Sequence, residues 1–132
     1  MVDKVLFYKG PKFSIYAIAR GEKCLVREFI EELPESVQKK VFALLKRTAE
    51  HGPPVNEEKF KLLRDRIFEF KAHQVRILCT FDKGQIIILT HGFVKQKGKT
   101  PKTEIERAIR LLEQLKQKEA YDERGQVVSG DA

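Results

Sequence analysis

The 132-residue chain has no long apolar run. None of its hydrophobic stretches approaches the ~20 residues that a spanning helix needs, which excludes a helical membrane protein. Met1 to Lys12 contains no apolar segment followed by small residues, so no secretory leader is expected, and the cytoplasm is the expected compartment. Cysteine is scarce. Cys24 and Cys79 stand 55 positions apart with neither a CxxC nor a nearby His pair, which excludes a disulfide framework and a zinc site. The signatures GxSxG, HExxH, the P-loop and GxGxxG are absent as well, so the common hydrolase, protease and nucleotide-binding templates do not apply.

What the chain does have is positive charge, 26 Lys plus Arg against 19 Asp plus Glu for a formal +7. The excess is local. Residues 1–58 carry +1, residues 59–118 carry +9, and the last fourteen carry −3. A basic block of this kind is the footprint of a polyanion partner, of which nucleic acid is the commonest. A solubilising lysine-rich surface would give the same sum.

Hydrophobic periodicity divides the chain into one domain over residues 13–120, preceded by an extension at 1–12 and followed by a tail at 121–132 that is expected to be disordered. Phe13 to Arg20 alternates like a strand, and Leu25, Val26, Phe29, Ile30 and Leu33 recur at helical spacing. Pro34 ends that helix and is expected as the first residue of a second, whose apolar face is Val37, Val41, Leu44, Leu45 and Thr48. After a linker, Arg66 to Lys71, Gln74 to Phe81 and Gln85 to Val94 read as strands, the last two joined by the hairpin turn Asp82-Lys83-Gly84. Thr100 is placed to cap a last helix that begins at Pro101 and buries Ile105, Ala108, Ile109, Leu112 and Leu115. The expected order is β-α-α-β-β-β-α, an α+β domain with a small, antiparallel-rich sheet packed on an N-terminal helical hairpin.

The strands and the loop after them carry a set of cations, Arg64, Arg66, Lys71, Arg76, Lys95, Lys97, Lys99 and Lys102, and strand parity sorts them. Arg76 faces opposite to Val75, Ile77, Cys79 and Phe81, and Glu69 and Lys71 face opposite to Phe68 and Phe70. Lys71, Arg76 and Lys95 are therefore expected to converge on the open face of the sheet, with Lys97 and Lys99 at its edge. Like charges brought together repel unless an anion joins them, and a phosphate backbone is the natural one. His91 is either a general acid or base or a packed structural histidine. Glu69 either takes a proton or anchors Lys71 or Arg76 in an ion pair.

Five segments, Leu25-Val26-Arg27-Glu28-Phe29-Ile30-Glu31-Glu32-Leu33-Pro34, Ile67-Phe68-Glu69-Phe70-Lys71, Val75-Arg76-Ile77-Leu78, His91-Gly92-Phe93-Val94-Lys95 and Lys99-Thr100-Pro101-Lys102, resemble the phage-derived Gp49-like and HigB-type toxins of the RelE/ParE superfamily. The resemblance covers about Phe13 to Tyr121. It implies the toxin of a type II toxin–antitoxin pair, an endoribonuclease that cuts mRNA in the ribosomal A site without a metal or other cofactor. In that reaction a 2′-hydroxyl attacks the adjacent phosphate while fixed cations stabilise the transition state. The resemblance implies phosphate-binding roles for Arg76, Lys71, Lys95 and Lys97, and base stacking or proton donation by Tyr121. Together with the residues read above, the candidate catalytic set is Arg76, Lys71, Lys95 and His91, and the candidate RNA or phosphate contacts are Arg66, Lys97, Lys99, Lys102 and Tyr121. Lys71 stands where the family usually has arginine, and Gln96 replaces a second lysine that follows here at Lys97. The implied partners are mRNA, the ribosome and a cognate antitoxin with a helix-turn-helix DNA-binding domain. The same fold also admits a ParE-like topoisomerase inhibitor or a non-catalytic nucleic-acid-binding module.

Overall fold

The computed structural model describes residues 1–131, with side chains through residue 123, and joins seven strands into one sheet. In chain order the elements are β1 (Val2–Lys9), β2 (Ser14–Arg20), β3 (Lys23–Cys24), α1 (Leu25–Glu31), α2 (Glu35–His51), β4 (Phe60–Arg64), β5 (Ile67–Ala72), β6 (Val75–Asp82), β7 (Ile86–Val94) and α3 (Lys102–Asp131). The strands lie in the order β1-β2-β7-β6-β5-β4, with β3 paired to β2. β2 and β7 run parallel, and the other neighbours are antiparallel.

The α+β class holds, but the expected order and the N-terminal position of the helical hairpin do not. Three strands precede α1, and four follow α2. Residues 1–12, expected as an extension, contain β1, and the expected linker before Arg66 contains β4. Both are edge strands broken by a register shift, between Leu6 and Tyr8 in β1 and between Leu62 and Arg64 in β4. An extra residue interrupts the period of two, so neither segment shows a clean alternation. Of the tail expected at 121–132, residue 132 and the side chains from 124 onward lie outside the described residues.

Two apolar layers follow from the pleat. On one face Ile15, Ala17, Phe70, Ile77, Cys79, Ile87 and Leu89 pack with Val26 and Ile30 of α1 and Val41, Leu45 and Ala49 of α2. On the other, Ile18 and Ile88 meet Leu111 and Leu115 of α3, and Ile67 and Leu78 meet Ile105 and Ala108. The face expected to be open is therefore largely covered by α3. Each large aliphatic side chain buried in these layers contributes about 1.5–3 kcal/mol. Phe60 of β4 stacks on Phe68 with centroids 5.2 Å apart, which ties the edge strand to the core.

The prolines sit one place earlier than expected. Pro34 is the N-cap of α2, and its carbonyl accepts from the amides of Val37 and Gln38, each at 2.9 Å. The Pro101 carbonyl does the same for Glu104 at 3.0 Å, and α3 starts at Lys102. The Gln38 side chain donates to the Leu33 carbonyl at 2.8 Å and the Glu31 carbonyl at 3.2 Å, closing the end of α1 onto α2. Gly52 ends α2 with φ +92° while its amide donates to the Thr48 carbonyl.

β7 changes face partway along. Ile77 pairs with Gly92 and Cys79 with Leu89, so Thr90 and His91 together oppose Leu78. This bulge turns His91 and Phe93 toward α3 and Gly92 toward α1. Gly92 is there because Phe29 fills the space: a Cβ at this position would lie 2.4 Å from Phe29 Cδ2. Gly92→Ala is expected to cost about 1–3 kcal/mol by overpacking. In a Phe29→Ala background the same change should cost almost nothing, a comparison that urea unfolding of the four variants would make.

Candidate phosphate-binding site

Antiparallel pairing of β4, β5 and β6 sets Lys61 opposite Glu69 and Lys71 opposite Arg76. All four side chains point to the α3 side of the sheet, at the end that α3 leaves bare. Glu69 is the hub, a carboxylate only 3% exposed. Its Oε1 accepts from the Thr100 hydroxyl at 2.5 Å and lies 3.8 Å from Arg76 Nε, and its Oε2 lies 3.9 Å from Lys71 Nζ. A buried carboxylate needs donors and countercharge, and Glu69 draws them from β5, from β6 and from the loop before α3. Thr100 thus does not cap α3. Its hydroxyl is committed to Glu69.

Arg76 is buried, and its guanidinium serves the protein. Nη1 donates to the His73 carbonyl at 2.6 Å and to the Val75 carbonyl at 2.9 Å, and Nε has no hydrogen-bond partner among the described residues. Sequence parity assigned Arg76 to the correct face. The structure makes it the countercharge of Glu69 and a staple of the β5–β6 turn, where His73 takes φ +56°.

The cations that do converge line a cleft of about 370 Å³ between β4 and the loop after β7. They are Lys61, Arg64, Lys71, Lys95 and Lys99, with Glu69 and Thr100 in the same wall. Five cations around one carboxylate focus a positive potential into a concave site. Lys95 is held there by its backbone amide, which donates to the Gln74 carbonyl at 2.7 Å. Of the cations singled out from sequence, the structure brings together Arg64, Lys71, Lys95 and Lys99. Lys61 was not anticipated because β4 lay inside the presumed linker, although Phe60-Lys61-Leu62 carries one short alternation that would have marked it.

The other expected residues lie elsewhere. Lys97 and Lys102 are exposed on the loop and the first turn of α3, outside the cleft wall. Arg66 sits at the opposite end of β5 from Lys71, about 17 Å away along the strand, where it borders a separate groove with Asp65 and Asp82. Tyr121 is exposed well along α3, about 28 Å from its start, beside Met1 and Arg20. Neither reaches the cleft, because a face read from local periodicity says nothing about position along a strand or helix.

His91 is 2% exposed and is likewise outside the cleft wall. Its Nε2 lies 3.0 Å from Glu104 Oε1 and its Nδ1 3.1 Å from Thr90 Oγ1, while the Thr90 hydroxyl donates to the Leu78 carbonyl at 3.2 Å. The imidazole therefore bolts β7 to the first turn of α3. Burial holds its pKa below the ordinary histidine value; the Glu104 hydrogen bond opposes that shift, and the nearby Arg107 charge adds to it. Cys79, buried in the other layer, has its thiol pKa pushed far up by desolvation and is chemically inert.

Residues 28–113 match the family described as phage derived protein Gp49-like. The match runs from within α1 into the first half of α3 and so includes every wall of the cleft. The chain belongs to the Gp49-like phage-derived family. No curated protein matches the chain. Among the described residues no helix is long and apolar enough to cross a membrane.

Two measurements test the site's construction. Glu69→Ala leaves the buried Arg76 charge uncompensated and is expected to destabilise the fold by about 3–5 kcal/mol. Combining it with Arg76→Met should cost less than the sum of the two single changes, as urea unfolding would show. For His91 the folded chain resists a proton that the unfolded chain accepts near pH 6.5. Stability is therefore expected to fall as pH drops from about 6.5 through the lowered folded-state value, and His91→Gln should flatten that part of the profile in thermal melts.

Proposed function

We propose that the protein is the toxin of a type II toxin–antitoxin pair, a cytoplasmic endoribonuclease that cuts mRNA on the ribosome. The observation that carries this reading is the cleft in which Lys71, Lys95 and Lys99 converge with Lys61 and Arg64. A site of that charge and width suits an RNA phosphate. In the proposed reaction the ribose 2′-hydroxyl gives up its proton to solvent and its oxygen bonds to the adjacent phosphorus as the bond to the 5′-oxygen breaks; the departing oxygen takes a proton from solvent, leaving a cyclic phosphate and a free 5′-hydroxyl. Negative charge builds on the phosphoryl oxygens, and ammonium groups fixed around the cleft stabilise it more in the transition state than in the ground state.

Arg76 and His91 enter as positioning residues. Arg76 holds Glu69, and through it Lys71; His91 fixes the start of α3, which carries Lys102, and with it the loop that carries Lys97 and Lys99. Those last exposed lysines extend the phosphate contacts beyond the cleft. The proposed partner is a cognate antitoxin with a helix-turn-helix domain, whose acidic segment would compete for the same cations.

A non-catalytic RNA-binding role is favoured by one observation, that both Arg76 and His91 are committed to protein partners, which leaves the cleft without an imidazole. Lys95→Ala/Lys99→Ala separates the two readings. The variant should fold with an unchanged thermal midpoint, yet lose growth arrest and lower A-site cleavage by about 10²-fold or more, as primer extension would report. Toxicity without mRNA cuts in the wild type would point instead to topoisomerase inhibition, and salt-dependent RNA binding without arrest to a binding module.

A further inference from the structure

Lys71 borders two concavities. One is the cleft described above, and the other is a groove of about 440 Å³ on the far side of the β5 end, between α2 and the β5–β6 turn. On α2 its wall is Lys40, Ala43, Leu44 and Arg47, spaced i, i+3, i+4 and i+7 and therefore on one face of the helix. Cations stand at the two ends of that face and small or half-buried apolar side chains between them. Pro54 and Ala72 continue the apolar surface, and Lys59 adds another cation against the single carboxylate of Glu58. Lys40 Nζ donates to His73 Nε2 at 2.8 Å, so the helix and the turn are linked across the groove.

We infer that this groove is a second RNA subsite, which takes a nucleotide of the same single strand whose neighbouring phosphate occupies the cleft, with Lys71 shared between them. Charge complementarity selects the occupant: the groove wall carries Lys40, Arg47, Lys59 and Lys71 against Glu58. Its composition suits a nucleotide, since the apolar middle of the α2 face offers a surface for a base, while the cations at its ends lie where backbone phosphates would pass. Sequence specificity is not implied, because a flat apolar contact serves any base.

The inference rests on the RNA reading of the cleft, and the test keeps the two apart. The probes are a labelled RNA hexamer and the dinucleotide of the same sequence, both 2′-O-methylated so that neither is cut, titrated against the full chain. Lys40→Gln/Arg47→Gln changes two exposed side chains of α2. It is expected to weaken hexamer binding about tenfold, with a salt dependence shallower by about 0.7 in log–log slope per lost phosphate contact, and to leave dinucleotide binding unchanged. Arg47→Lys, which keeps the charge, should retain hexamer affinity. Unchanged hexamer binding in the Lys40/Arg47 variant, alongside its loss in Lys95→Gln/Lys99→Gln, would overturn the subsite and leave the cleft reading standing. Failure of the wild type to bind either RNA would remove both. If the Lys40/Arg47 variant instead lost binding of a polyglutamate peptide while keeping the hexamer, the groove would be a protein-docking surface and the proposal would fail.

Discussion

The carboxylate of Glu69 is the point on which the basic end of this protein is organised. It sits under the loop that leads into α3, with one oxygen bonded to Thr100 and within ion-pair distance of Arg76, and the other facing Lys71. Those contacts join two strands and a loop that local sequence alone leaves independent. A buried anion is costly without partners, so the geometry that satisfies Glu69 also dictates where β5, β6 and the start of α3 meet. Lys95 and Lys99 flank that junction. Lys99 is brought there as the chain neighbour of Thr100, and Lys95 by its backbone bond to Gln74.

The same hub sorts the cations into two kinds. Arg76 is committed inside, where Nη1 donates to two backbone carbonyls while the guanidinium faces Glu69. Lys71 keeps 20% of its side chain exposed and lies at the boundary between protein and solvent. Charge that stabilises the scaffold and charge available to a ligand thus come from adjacent positions of one antiparallel pair, Lys71 opposite Arg76. A residue can be essential at such a site without touching anything that binds there.

Much of this was legible in the sequence. Alternation located β2, β5, β6 and β7, and the Asp82-Lys83-Gly84 turn gave the β6–β7 hairpin, because central strands with two buried faces and tight turns leave strong local signals. The face of Lys71 and Arg76 also followed from parity. β1 and β4 did not, since an edge strand with a bulge has one buried face and a broken period. Nor could periodicity show that α3 lies over the second face, which turned an expected open surface into a core of Ile18, Ile88, Leu111 and Leu115. Arg66 and Tyr121 lie away from the cleft for a related reason: local periodicity does not say how far along a strand or helix a residue is carried.

The bulge at Thr90 and His91 makes β7 a strand that belongs to two layers in turn. Before it, Ile87 and Leu89 face the α1–α2 side; after it, Gly92 meets Phe29 on that side, while His91 and Phe93 have crossed to α3. In a regular strand, adding or deleting one residue inverts everything downstream. Here that inversion is already part of the native arrangement, and the chain beyond it, including the lysine-bearing loop, inherits its phase. The segment from Ile86 to Val94 is therefore intolerant of any single-residue change in length, and loops grafted after Val94 would keep their orientation only if that one extra residue stayed in place.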